Sequence, residues 1–155
     1  MKKKRAVAIL IKNDEILLIY RKNEKEYFVF PGGGVEERET IEQAVIRELM
    51  EETTIEVKIN KLLYHHVYDN DSEQYFYLCD YISGKPNLSE DSEEKQKMLA
   101  GKDFYDPRWV KLKDLKNMLV YPLEIRDLLI EDFKKNFTNP VNILTIKISE
   151  LRETI

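Results

Sequence analysis

Apolar residues fill positions 6–11 without a polar break, and a second apolar run covers 16–20 before Arg21. These β-rich runs predict strands at 6–12 and 16–21, closed into a hairpin through Asn13, Asp14 and Glu15. Residues 27–30 extend the β pattern to Pro31, where Gly32, Gly33 and Gly34 interrupt any regular element. Good helix formers then dominate residues 40–53, with Thr40 placed as an N-cap. Three further strands are predicted at 55–63, 65–68 and 74–82, the last with Tyr75 and Tyr77 in alternation. The polar stretch 83–106 is too long for a passive turn and reads as a candidate active-site loop, with an acidic cluster running from Glu90 through Asp91 and Glu93 to Glu94. A short strand at 108–112 around Trp109 and a helical turn at 113–118 follow. Tyr121-Pro122 then opens an amphipathic helix that buries Ile125, Leu128, Leu129 and Phe133, and a last strand is predicted at 141–148. The pattern predicts a mixed sheet with helices packed on it, class α/β or α+β.

With 155 residues, 43% of them hydrophobic, the chain is long enough for one ordinary core, and one domain is expected over 1–155. A formal net charge of -4 argues against general affinity for nucleic acid, although local basic groups can still hold a small phosphate ligand. Cys79 is alone, so no internal disulfide forms and a reduced compartment is expected. The basic start Met1-Lys2-Lys3-Lys4-Arg5 has the look of a leader, but its apolar stretch is short and a first strand explains it better. No run approaches the roughly 20 apolar residues of a membrane span, so the expectation is a cytoplasmic protein with no membrane partner.

On a helical wheel, Ile41, Ala44, Val45 and Leu49 mark the inward face of the 40–53 helix, and Glu48 and Glu52 fall in the middle of that face, with Glu51 beside them. Carboxylates 5–6 Å apart repel by about 3 kcal/mol per pair at an effective dielectric near 20, which calls for a compensating cation. Oxygen-only ligands point to Mg²⁺ first and Mn²⁺ next, not zinc. Arg47 is placed to orient one carboxylate. The three glycines permit close approach of backbone to a ligand, so that a loop carbonyl can join the metal shell while the amides face phosphate. Glu39, just before the helix, is placed to bind metal or hold a water.

Taken together, Gly33, Glu39, Arg47, Glu48, Leu49, Glu51, Glu52 and Ile55, at their spacings over residues 33–55, closely resemble the signature of the Nudix (MutT-like) hydrolases. The likeness extends more loosely to Phe30-Pro31-Gly32, Trp109-Val110 and Tyr121-Pro122. It implies an αβα sandwich around a central mixed β-sheet, and Mg²⁺- or Mn²⁺-dependent hydrolysis of a small-molecule nucleotide: a nucleoside triphosphate or related nucleoside diphosphate derivative, modified or oxidised nucleotides included. A sugar-nucleotide, a dinucleotide, an RNA 5′ end and non-catalytic nucleotide binding are the alternatives. In similar proteins the metal ligands would be Glu48, Glu51, Glu52 and the Gly32 carbonyl, Glu39 would steady the cluster or share in activating water, and homodimers are common. Two positions depart from the pattern. Thr54 stands where the family has glycine, and a β-branched residue suits the left-handed turn there poorly. Arg38 occupies another frequent glycine position and is expected to face solvent.

An extra ligand or base is expected from the acidic loop, with Glu90 and Glu94 as candidates, and Arg21 and Phe30 join Gly33 and Gly34 as candidate substrate contacts. Trp109, and most strand aromatics, are read as packing. His65 and His66 must face opposite sides of a strand.

Overall fold

The computed structural model describes residues 3–90, 92–101 and 103–151. Strand β1 (Lys3–Lys12) and β2 (Glu15–Lys22) form the expected hairpin, with Asn13 and Asp14 both at positive φ, as a two-residue turn matching strand twist requires. β3 (Glu26–Val29) pairs with β2. The glycine run is not a loop. Gly32–Gly34 form β4, antiparallel to β1, and the Ala8 and Val35 amides donate to the Pro31 and Lys4 carbonyls on either side. Backbone pairing needs no side chains, which is why side-chain pattern did not reveal it.

Helix α1 (Ile41–Thr53) begins with a capping box: Thr40 Oγ1 accepts the Gln43 amide, and the Gln43 side chain accepts the Thr40 amide. The two strands expected at 55–63 and 65–68 are one, β5 (Glu56–Tyr68), whose pairing with β6 (Ser72–Ser83) shifts register at Ile59/Lys61 and at Leu62/Tyr64. Each bulge breaks the two-residue alternation, and the sequence pattern breaks with it. Inside the polar stretch lies a short helix, α2 (Glu93–Leu99), followed by β7 (Phe104–Lys111), which starts earlier than expected because Pro107 disguises a strand paired, among the described residues, with β2 alone. A 3₁₀ turn (Leu112–Asn117), the two-residue β8 (Val120–Tyr121), α3 (Leu123–Lys134), β9 (Asn142–Ile146) and a second 3₁₀ turn (Ile148–Glu150) complete the order among the described residues.

Among the described residues the strands run β8-β3-β2-β1-β6-β5-β9, with β4 beside β1 and β7 beside β2. β1 pairs parallel with β6, as β3 does with β8 and β5 with β9. β1 is buried on both faces. Val7 and Ile9 join Phe76, Leu115, Ile125 and Leu129 beneath α3, whereas Ala6, Ala8 and Leu10 pack with Ala44, Val45 and Leu49 of α1. The fold is therefore the expected mixed α+β arrangement, with α1 and α3 on opposite faces. No described helix is long and apolar enough to cross a membrane.

Candidate functional site

Strand β4 and helix α1 bound a cleft of about 310 Å³ at one end of the sheet. From α1, Glu48, Glu51 and Glu52 contribute to its wall. Glu52 is only 6% exposed and accepts the Gly32 amide at 2.8 Å. Burial first, then the charges of Glu94 and Glu48, push its carboxyl well above the ordinary range, against the pull of the Gly32 amide and of Arg5. Glu48 is also raised, chiefly by burial. Glu51 sits at the rim, its side chain 45% exposed. Gly33 is required by this arrangement: a Cβ there would lie 2.4 Å from the Glu48 carboxyl carbon.

Arg47 ties the acids together from behind. Its guanidinium takes Glu39 with both fork nitrogens, at 2.7 and 2.9 Å, reaches Glu48 Oε1 at 2.9 Å and donates to the Gly34 carbonyl at 2.9 Å. Glu39 also accepts the Glu36 amide, and the Arg47 bond is the main reason its carboxyl lies below the usual range. Neither Glu39 nor Arg47 lines the cleft. Glu39 was expected to steady the cluster or share in activating water, and Arg47 to orient one carboxylate; Arg47 is bonded to both Glu39 and Glu48.

The acidic loop contributes through α2, which brings Glu93, Glu94 and Lys97 to the wall. Glu90, expected there with Glu94, is exposed and does not line the cleft, and Asp91 lies outside the described residues. Arg21 does reach the cleft, its guanidinium 4.4 Å over the Tyr105 ring and bonded to the Tyr105 hydroxyl at 2.9 Å. Arg5 also lines it, near the Gly32 carbonyl at 3.5 Å. Sequence reasoning missed Arg5, Lys97 and Tyr105. Arg5 acquires its place only from the β1–β4 register, in which it faces Gly34.

A second cavity of about 480 Å³ shares Arg5, Arg21, Val29 and Phe30 with the acidic cleft and continues to Phe76, Tyr121 and Gln74. Phe30 is a core residue, 4% exposed and edge-on to Phe76, that touches both cavities. Thr54 does adopt the left-handed turn, at φ 59°, despite its branched side chain. Arg38 is exposed at positive φ, as expected of a glycine-like position facing solvent.

Among the described residues, no three carboxylate, imidazole or thiolate groups gather tightly enough to hold an ion in this conformation. Glu48 is drawn toward Arg47 and Glu52 toward the Gly32 amide. The donor chemistry nevertheless fits a hard cation, because the candidate ligands on the wall are carboxylates and a nearby carbonyl, with no His or Cys among the described lining residues.

The model of the NUDIX domain matches residues 2–129. An ADP-ribose pyrophosphatase of Methanocaldococcus jannaschii is 39% identical over 97 residues, 57% of this chain and 56% of that protein. This chain thus aligns with little more than half the length of that relative. Among solved structures, a NUDIX hydrolase from Nitrosomonas europaea superposes with TM-score 0.72 at 17% identity, covering 94% of this chain and 79% of the other. A MutT structure from work on Aliivibrio salmonicida and Vibrio cholerae superposes at 0.62 with 27% identity, covering 84% and 93%. With the acidic helix, its glycine strand and a family match that spans most of its length, the chain belongs to the Nudix family.

Proposed function

We propose that this cleft hydrolyses the diphosphate linkage of a nucleoside triphosphate or related nucleoside diphosphate derivative, modified or oxidised nucleotides included, with Mg²⁺ or Mn²⁺ as cofactor. One observation carries the proposal: the buried Glu52 and the half-buried Glu48 share a cleft with Arg5 and Arg21, and those arginines also line an aromatic cavity of about 480 Å³. That volume suits a base with its sugar. The arginines suit the phosphates between the two cavities.

Glu48, Glu51, Glu52 and the Gly32 carbonyl would hold the cation, with Glu94 as a further ligand. When bound, it would lower the pKa of water and neutralise charge developing on the bridging oxygen. Water attacks one phosphorus, a new P–O bond forms as the bridging P–O bond breaks, and the departing phosphate keeps the electron pair. Glu52, on the cleft wall with its carboxylate held by the Gly32 amide, is the group suited to take the water's proton. Arg47 and Glu39 keep Glu48 in place, Gly33 leaves room for the Glu48 carboxylate, and the open space beside Gly34 leaves room for the phosphate chain. A nucleoside diphosphate joined to a sugar is the second reading, favoured by the name of the archaeal relative.

A panel of nucleoside triphosphates, oxidised nucleotides, ADP-ribose, other sugar-nucleotides, dinucleotides and capped RNA, assayed with Mg²⁺ or Mn²⁺ and with product identification, tests the reading. The wild type should release nucleotide products that Glu52→Gln does not. Unchanged turnover in Glu52→Gln removes its assigned role, and tight binding without hydrolysis across the panel makes the chain a nucleotide-binding module.

A further inference from the structure

The segment from Gly84 to Ser89 is fastened across the C-terminal end of α1. The Asn87 amide donates to the Thr53 carbonyl at 2.9 Å and the Ser89 amide to the Glu51 carbonyl at 3.0 Å, two of the acceptors that a helix end otherwise leaves unsatisfied. Between them Leu88 is buried against Ile19 and Tyr105. Ser92 then caps α2, accepting the Lys95 amide while its hydroxyl donates to the Ser89 carbonyl. α2 itself buries no residue. Met98 alone of its apolar residues packs inward, beside Leu88 of the strap and against Ile19 and Tyr105, so the strap's bonds to α1 and the Ser92 cap help to set the direction in which α2 points Glu94.

Thr54 is the strap's side-chain anchor. Its hydroxyl donates to the Lys85 carbonyl at 2.9 Å. Its own carbonyl is so close to Gly84, which has φ 106°, that a Cβ there would come within 2.6 Å of it, and the Tyr81 hydroxyl holds the Gly84 carbonyl from the other side at 2.7 Å. Glycine at 54 would make the same left-handed turn with less strain and lose only the hydroxyl bond. We infer that Thr54 is a positioning residue, whose hydroxyl keeps the strap in register so that α2 presents Glu94 to the cleft shared with Glu48 and Glu52. The inference rests on the metal-assisted hydrolysis proposed above.

The experiment is a double-mutant cycle on the full chain, with Thr54→Gly, Thr54→Ser, Glu94→Gln and the Thr54→Gly/Glu94→Gln pair. Mn²⁺ binding without nucleotide, thermal midpoint, and kcat and KM on the substrate that the wild type cleaves are measured for each. Thr54→Gly should keep or raise the thermal midpoint, weaken Mn²⁺ binding about tenfold, the scale on which groups that orient a ligand act, and lower kcat more than it changes KM. Thr54→Ser should restore wild-type values, and Thr54→Gly should add nothing once Glu94 is Gln. Wild-type Mn²⁺ affinity in Thr54→Gly, or an equal loss in the Glu94→Gln background, overturns the inference. If the wild type binds Mn²⁺ but cleaves nothing on the panel, the hydrolytic reading fails while the Mn²⁺ cycle still decides the role of Thr54.

Discussion

Helices α1 and α3 cover opposite faces of one sheet, and they are held there by different forces. α3 turns Leu123, Ile125 and Leu129 inward, against Val7, Ile9 and Phe76 or their neighbours. α1 shares its inward side between Ala44, Val45 and Leu49 and the carboxylates Glu48 and Glu52, above the small residues Ala6 and Ala8. What α1 lacks in apolar area is supplied by directed bonds: the capping box at Thr40, the Arg47 clamp and the strap on its last carbonyls. One helix is placed to keep the fold, the other to hold charges where folding alone would not put them.

Exchanging charge for neutrality on α1 should show this most strongly. Glu52→Gln keeps an acceptor for the Gly32 amide, so the fold should survive, and activity should fall on the order of 10³-fold, about 4 kcal/mol of transition-state stabilisation. In chelator its unfolding midpoint should rise, because a costly buried charge is gone. A lower midpoint would mean that Glu52 stabilises the fold. Leu129→Ala on α3 should do the reverse, losing about 2–5 kcal/mol in urea unfolding while kcat per folded molecule is kept. If kcat fell with it, the two faces would not be separable. Arg47→Ala comes next. Freed from the clamp, Glu39 and Glu48 repel, and metal affinity or kcat should drop about 10–100-fold. An unchanged Mn²⁺ titration would reduce the clamp to a surface ion pair.

The same contrast explains what was legible beforehand. The acids of α1 stand out because a 3.6-residue period exposes three carboxylates on an apolar side, and that period is local. α3 was legible for the same reason, from Ile125 and Leu129. Features that depend on partners distant in sequence were not. Arg5 enters the cleft through the β1–β4 register, Gly32–Gly34 become a strand through backbone bonds to β1, and Glu94 rather than Glu90 lines the cleft from a helix that packs beside Ile19, Leu88 and Tyr105. Thr54 was legible as an oddity, but its partner at Lys85 was not.

The smallest effect, and the finest test of the comparison, is the pH dependence of stability in chelator. Glu52 and Glu48 have folded pKa values raised above an ordinary value near 4.5. The folded protein therefore keeps protons that the unfolded chain releases, so their contribution is fully present below that value and is lost as pH rises through the raised ones. Glu39 is lowered, and its contribution is present above that value and lost only as pH falls through its folded pKa. His66, lowered by burial, favours folding as pH rises toward its ordinary 6.5 and partly masks the slope. Comparing wild type with Glu52→Gln cancels Glu39 and His66. Between pH 5 and 7 the wild type should lose stability relative to Glu52→Gln by up to about 1.4 kcal/mol per pH unit, and Leu129→Ala, lying on the other face, should keep the wild-type slope. Saturating Mg²⁺ should flatten the difference, since a cation favours the ionised acids. Parallel curves for wild type and Glu52→Gln in chelator would show that the buried carboxylate carries no such burden, and α1 would then be held by packing as α3 is.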